Sequence, residues 1–348
     1  MRRLFLLFCS LLFCYTLVAQ SSRVLFLGNS YTYVNNFPQL VQQCFQSVGD
    51  DVIVNMSTSG GLTFQQHCTF SLGFIMSGDY DIVVLQEQSQ LPSFPESQFM
   101  QESYPYAQQL CDLIHQYNPN AKIYFYMTWG RKNGDAQNCQ FFPPLCTYEG
   151  MDSLLYDRYL MMAADNQACV SPVGAVWHYI RDHYPDMELY QSDESHPSYF
   201  GSYVAACCFY TSITGQNPCD IQWNGTLTGY EADIAKLATK KVIYDSLSKW
   251  CFMENPIEED STGIAILSGL NPVIDIYPNP SSHCVYLKSE EPLVDIVLEI
   301  YDMAGRLITR YDQFNGDTFD VSTFKNGLYF LKVHFSDYCF QTRFYVVH

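Results

Sequence analysis

Arg23-Val24-Leu25-Phe26-Leu27-Gly28-Asn29-Ser30-Tyr31-Thr32 runs from four consecutive apolar residues straight into a Gly-Asn turn. A run this short suits a strand buried on both faces and is too short for a buried helix. Residues 52–55, 82–85 and 123–127 repeat the pattern, each short, rich in β-branched or aromatic residues and bounded by polar or glycine turns. Between these runs, residues 37–48, 98–117 and 152–166 have helical length and period. Strand–helix alternation of this kind predicts an α/β fold, a three-layer α/β/α arrangement around a mostly parallel sheet. Such sheets bind ligands at the carboxyl ends of their strands, so the residues just after each strand are the ones to inspect.

The pattern changes after Trp250. Residues 253–270 carry Pro256, a Glu-Glu-Asp run, Gly263 and Gly269, which suits a linker, although residues 264–267 could add a strand. Beyond it, strand-like runs at 274–277, 284–287, 294–301, 306–311, 328–335 and 339–347 are joined by turn signals such as Ala304-Gly305 and Asn326-Gly327. Short strands without helices predict a small all-β sandwich over 271–348.

At the other end, Arg2 and Arg3 precede an apolar run that reaches a small residue at Ala19. This is the order of a secretory signal peptide, which places the hydrolysable leader at 1–19 and the first large domain at 20–252. The run is too short to span a bilayer, and no later stretch is long and apolar enough, so no membrane span is expected. Cys9 and Cys14 each follow Phe, where a lipoprotein signal would want a small residue. Without Arg2 and Arg3, 16 of the 18 basic residues remain against 36 acidic ones, a formal charge of −20. A chain so acidic repels phosphate backbones, which excludes nucleic acid as an expected partner.

Removing Cys9 and Cys14 from the 14 cysteines leaves twelve, an even count that favours disulfides in an exported chain. Cys139 with Cys146, and Cys284 with Cys339, are plausible pairs. No paired CxxC or HExxH spacing is present, so no metal site is expected.

Ser30 follows the first strand immediately, where its hydroxyl can face a cleft. Acyl transfer by serine needs a base for the hydroxyl proton and a carboxylate to fix the imidazole. Asp193-Glu194-Ser195-His196-Pro197 offers both, three residues apart in a loop entering a helix. His115, His178 and His183 lie on helix-like segments; His67, near Gly60-Gly61, is the rival base.

Gly28-Asn29-Ser30 resembles the first block of the SGNH (GDSL-like) hydrolases, usually Gly-Asp-Ser, and Asp193-x-x-His196-Pro197 resembles their last. Ser59-Gly60-Gly61 follows the second strand, as the family's oxyanion glycine does, and Leu85-Gln86-Glu87-Gln88 stands where the family has Gly-x-Asn. The resemblance spans residue 23 to about 210. It implies catalytic Ser30, Asp193 and His196, with an oxyanion hole of the Ser30 NH, the Gly61 NH (Gly60 competing) and Gln88, whose carboxamide sits on a stem one methylene longer than the family's Asn. Gln-Glu-Gln-Ser with Trp129-Gly130-Arg131 is similar to the branch acting on acylated sugars, which implies Trp129 stacking on a pyranose and Arg131 holding an anionic group. The expected activity is that of a secreted serine esterase removing an acetyl or other small acyl group from a carbohydrate, with no metal or organic cofactor. The alternative is a non-catalytic cell-surface glycan-binding protein on the same fold. No G-x-S-x-G elbow supports an α/β-hydrolase lipase or peptidase.

Residues 276–280 (Ile-Tyr-Pro-Asn-Pro), 298–306 and 327–333 closely resemble the type IX (Por) secretion C-terminal sorting domain of Bacteroidetes. This implies export by the signal peptide, passage through the outer membrane on the type IX machinery as partner, and a secreted or cell-surface location.

Overall fold

The computed structural model describes residues 21–252, 274–278, 281–289, 296–302, 306–334 and 339–348. The signal-peptide segment, the linker at 253–270 and its possible strand at 264–267 lie outside the described residues. The chain divides into two compact units between Ile257 and Glu258.

In the first unit, β1 (Ser22–Gly28), β2 (Val52–Thr58), β3 (Ile82–Leu85), β4 (Lys122–Tyr126) and β5 (Cys169–Ser171) form one sheet in the order β2-β1-β3-β4-β5. Every pairing is parallel. Val24, Leu25, Phe26 and Leu27 are fully buried, as strands covered on both faces must be. Ile53 and Met56 on the edge strand β2 stay exposed. The covering helices are α1 (Ser30–Tyr33), α2 (Phe37–Gln46), α3 (Phe64–Phe70), α4 (Leu72–Ser77), α5 (Glu96–Glu102), α6 (Tyr104–Tyr117), α7 (Tyr148–Asp165), α8 (Val173–His183), α9 (Tyr199–Thr214) and α10 (Gly229–Val242). The three-layer α/β prediction therefore holds.

Register brings three separate stretches of sequence to one place. Leu27 pairs with Leu85, Gly28 pairs with Thr58, and the Gln86 NH donates to the Leu27 carbonyl at 2.9 Å. The segments leaving β1, β2 and β3 thus emerge side by side at the carboxyl edge.

Some boundaries differ from expectation. The helix predicted over 98–117 is two, because Ser103 ends α5 and begins α6 with a proline in the first turn, where the missing NH costs nothing. Helix α7 starts four residues before 152, capped by the Thr147 hydroxyl on the Gly150 NH. Strand β5, three residues long, gave no pattern to read.

Cys139 and Cys146 are bonded as expected. Cys169 pairs with Cys251, tying edge strand β5 to the end of the unit, a link that spacing did not reveal. Cys284 is a free thiol, so the expected Cys284–Cys339 bond is not formed. Cys44, Cys68, Cys111, Cys207 and Cys208 are free and buried; they fill the core as small apolar residues, and an even cysteine count misjudged them.

The second unit is antiparallel. Strands β6 (Ile274–Tyr277), β7 (Cys284–Ser289) and β10 (Thr318–Asp320) form one sheet, and β8 (Ile296–Asp302), β9 (Leu307–Phe314), β11 (Gly327–His334) and β12 (Cys339–Val346) the other. Their inward positions, among them Val285, Leu298, Ile300, Leu331, Val333 and Phe344, make one apolar core.

Candidate active site

The turn after β1 is built for close packing. A Cβ on Gly28 would sit 2.3 Å from the Thr32 hydroxyl and 2.7 Å from Gln86 Oε1, so only glycine fits there. Asn29 caps α1 by accepting from the Tyr31 NH at 3.2 Å, which makes Ser30 the first residue of the helix. The fully buried Gln86 holds this turn from beneath: its Oε1 accepts from the Asn29 NH and the Thr32 hydroxyl, both at 2.9 Å.

Opposite Ser30, residues 193–196 form a tight loop just before α9. Glu194 takes a left-handed φ of 61°, which turns the chain so that Asp193 Oδ1 accepts from both the Ser195 NH and the His196 NH, at 3.1 and 3.0 Å. Asp193 Oδ2 lies 2.5 Å from His196 Nδ1, and His196 Nε2 lies 2.8 Å from Ser30 Oγ. A carboxylate can only accept, so Nδ1 carries the proton and Nε2 accepts from the serine hydroxyl. Partial burial pushes the Asp193 carboxyl up, but the hydrogen bonds from His196 and the Ser195 NH outweigh it and hold the group below the usual carboxylate range.

Side chains away from the loop fix it. Asn35, in a left-handed conformation, donates to the Pro197 and Ser198 carbonyls at 2.9 and 3.0 Å, and the Lys132 NH donates to the Glu194 carbonyl at 2.9 Å. The Tyr31 hydroxyl meets Ser195 Oγ at 2.6 Å.

Trp129 is fully buried. One face stacks on Tyr31 (centroids 4.9 Å apart) and the other on Trp177 (3.7 Å), while its indole NH donates to the Ser195 carbonyl at 3.1 Å. No ring face is left for a pyranose, and the expected sugar-stacking role for Trp129 gives way to support of the histidine loop. Arg131 is likewise committed: its Nη1 bonds Asp135 Oδ1 at 2.9 Å. Asp135 is buried yet also accepts from Gln90 at 2.6 Å and Asn138 at 2.7 Å; burial raises its carboxyl, and these bonds together with Arg131 bring it below the ordinary value. The anionic substrate group expected at Arg131 would share its guanidinium with this internal ion pair.

His67, the rival base, is fully buried. Its Nε2–H donates to the Gly28 carbonyl at 3.1 Å and its Nδ1 accepts from Ser71 at 2.6 Å, and burial lowers its pKa to about 4. It is a neutral strut under the serine turn.

Across the cleft, the Asn29 amide donates to the Leu62 carbonyl at 3.0 Å and reaches the Glu87 carbonyl at 3.5 Å, tying the glycine loop and the end of β3 to the serine turn. Gly61 has φ +68° and open space around it. Among the described residues, neither the Ser30 NH nor the Gly61 NH donates to a protein acceptor. Gln88 turns into its own loop: Oε1 accepts from the Gln90 and Leu91 NH groups at 2.7 and 3.1 Å, and Nε2 donates to Gln90 Oε1 at 3.2 Å, leaving one amide hydrogen free.

Two residues that sequence reasoning passed over are Gln86 and Glu87. The Glu87 carboxyl is fully buried and accepts from the Phe64 NH (2.8 Å), the Gln88 NH (2.6 Å) and the Ser103 hydroxyl (2.8 Å), anchoring the start of α3 beside the glycine loop. Burial outweighs these bonds and raises its pKa to about 7. Polar residues continuing a strand that is otherwise wholly apolar were the available signal.

Residues 275–347 match the family described as the secretion system C-terminal sorting domain. No curated protein matches the chain in sequence. Among solved structures, a DUF4886 family protein from Bacteroides uniformis aligns with a TM-score of 0.57 at 14% identity, over 66% of this chain and 95% of that one. A candidate SGNH hydrolase from Slackia heliotrinireducens aligns at 0.47 and 23% identity, over 56% of this chain and 100% of that one. An acetyl-xylooligosaccharide esterase from Geobacillus aligns at 0.40 and 16% identity, over 60% and 98%.

Proposed function

We propose that the first unit is a serine esterase that removes a small acyl group, such as acetyl, from a carbohydrate, and that the second unit directs its export to the cell surface or beyond. The hydrogen-bonded line from Asp193 through His196 to Ser30 Oγ carries the reading. The Ser30 oxygen attacks the ester carbonyl while His196 Nε2 takes the hydroxyl proton. Asp193 holds the ring in the required tautomer and stabilises the imidazolium. His196 then gives the proton to the leaving alcohol, and water, activated by the same ring, hydrolyses the acyl-enzyme.

The Ser30 and Gly61 NH groups supply the oxyanion donors, with the remaining amide hydrogen of Gln88 as the third. One such donor is worth about 2.7–4 kcal/mol of barrier. The substrate's small acyl group, the sugar it comes from and the type IX machinery as partner belong to the same proposal, as does a division into leader, esterase domain, linker and sorting domain.

Hydrolysis of p-nitrophenyl acetate by the full chain, with and without Ser30→Ala, tests the activity. Loss of turnover in the variant is expected; equal rates would favour a surface protein that keeps the fold without the chemistry.

A further inference from the structure

Beside the serine turn lies a hollow of about 270 Å³. Its walls are fixed by the same Asn29 amide that shapes the turn. That amide binds the carbonyls of Leu62 and Glu87, and the next residue in each segment, Thr63 and Gln88, lines the hollow. An ester carbonyl at Ser30 therefore leaves one of its two substituents close to this space.

The lining decides which substituent. Gln65, Gln88 and Gln90 present carboxamides and Thr63 a hydroxyl, against an apolar floor from Leu91 and Phe94. The carboxamides are held in place before any ligand arrives: Gln65 donates to the Tyr106 hydroxyl at 2.8 Å, Gln88 is locked to its loop, and Gln90 is anchored on the buried Asp135. A long acyl chain entering here would strip water from the Gln65 and Gln90 amides and return no hydrogen bonds. Vicinal hydroxyls match Gln65 and Gln90, whose carboxamides can each still donate and accept, and a ring can lie on the Phe94 side chain. Glu102 is the one ionisable residue in the lining and it is an acid, while the Arg158 guanidinium behind the wall is buried and bonds the Pro92 and Phe94 carbonyls at 3.1 and 2.8 Å. An anionic sugar gains nothing here and meets a like charge.

The structure assigns this hollow to an uncharged glycosyl unit, the alcohol half of the ester, in place of the Trp129 and Arg131 subsite that the sequence suggested. The assignment rests on the esterase reading and narrows it. It also predicts a preference for short acyl groups, since a hollow filled by the alcohol half is closed to a long acyl chain.

The test compares kcat/KM of the full chain on acetylated xylooligosaccharides with kcat/KM on p-nitrophenyl acetate, for the wild type, Gln65→Leu and Phe94→Ala. Gln65 is exposed on α3, so its replacement leaves the fold intact. The ratio of the two values is expected to fall roughly five- to tenfold in each variant. p-Nitrophenyl octanoate is expected to be a poorer substrate than the acetate. A ratio that moves less than twofold in both variants overturns the assignment, and so does a wild type that cleaves p-nitrophenyl acetate through Ser30 yet leaves the acetylated oligosaccharide untouched. A tenfold preference for octanoate would assign the hollow to the acyl chain. If Ser30→Ala keeps full p-nitrophenyl acetate activity, the esterase reading itself fails, an outcome distinct from the others.

Discussion

Gln86 Oε1 accepts from the Asn29 NH and the Thr32 hydroxyl at 2.9 Å each, joining the end of β3 to the two ends of the serine turn across 57 and 54 positions of sequence. A fully buried amide with two acceptor contacts behaves as part of the scaffold, and its loss leaves two donors without partners.

Gln86→Leu is therefore expected to cost about 2–6 kcal/mol of stability, from one to three for each orphaned donor, and to lower kcat more than it raises KM. Urea denaturation and steady-state kinetics on the same sample check both. A variant with wild-type stability and kcat would show that the turn holds itself.

Asp193→Asn should reduce kcat by about 10³–10⁴-fold with little change in KM, because the imidazole loses the acceptor that fixes its tautomer. The Asp193 carboxyl has a lowered folded-state pKa. Its contribution to loop stability is thus complete above the unfolded carboxylate range and is lost as pH falls through the folded value. Thermal unfolding of wild type and variant should converge in strong acid and differ at neutral pH.

The sign reverses for Glu87. Its folded pKa is raised to about 7, so between the ordinary carboxylate value and pH 7 the folded state binds more protons than the unfolded one. Stability from this group falls as pH rises through that window, by on the order of 3 kcal/mol in total. Glu87→Gln should flatten the stability–pH curve there, as melting temperatures at pH 5 and pH 8 would reveal; an unchanged slope would assign it to other groups.

Trp129→Phe keeps an aromatic ring between Tyr31 and Trp177 but loses the indole NH bond to the Ser195 carbonyl. Turnover is expected to fall several-fold while KM for an acetylated sugar stays within about twofold. A rise in KM with kcat unchanged would restore the stacking role that burial denies it.

Cys251→Ser should lower stability by about 2–4 kcal/mol, because its bond closes a loop spanning 82 positions, and more than Cys146→Ser, whose bond closes seven. Comparing denaturant midpoints settles the order.

The fold was legible because residues 24–27 and 82–85 are apolar without alternation, which only a strand covered on both faces allows. That Ser30, Asp193 and His196 would meet was legible because serine chemistry requires those three groups in complementary positions. Trp129 was misjudged because a sequence gives residue type and position after a strand, and does not show which face is already covered: Trp129 is filled on both sides, and the internal pair of Arg131 with Asp135 was equally invisible. Gln86 and Glu87 were given no role of their own, since nothing in one sequence says that a polar residue is buried. The Cys169–Cys251 bond depended on a three-residue strand that periodicity cannot detect.

The central claim is that His196 activates Ser30. Mass spectrometry of the full chain after treatment with diethyl p-nitrophenyl phosphate measures this most directly. The account predicts one phosphoryl adduct, on the peptide carrying Ser30, absent in Ser30→Ala and formed about 10³-fold more slowly in His196→Ala. Labelling of a different residue, or labelling of His196→Ala at the wild-type rate, would contradict it.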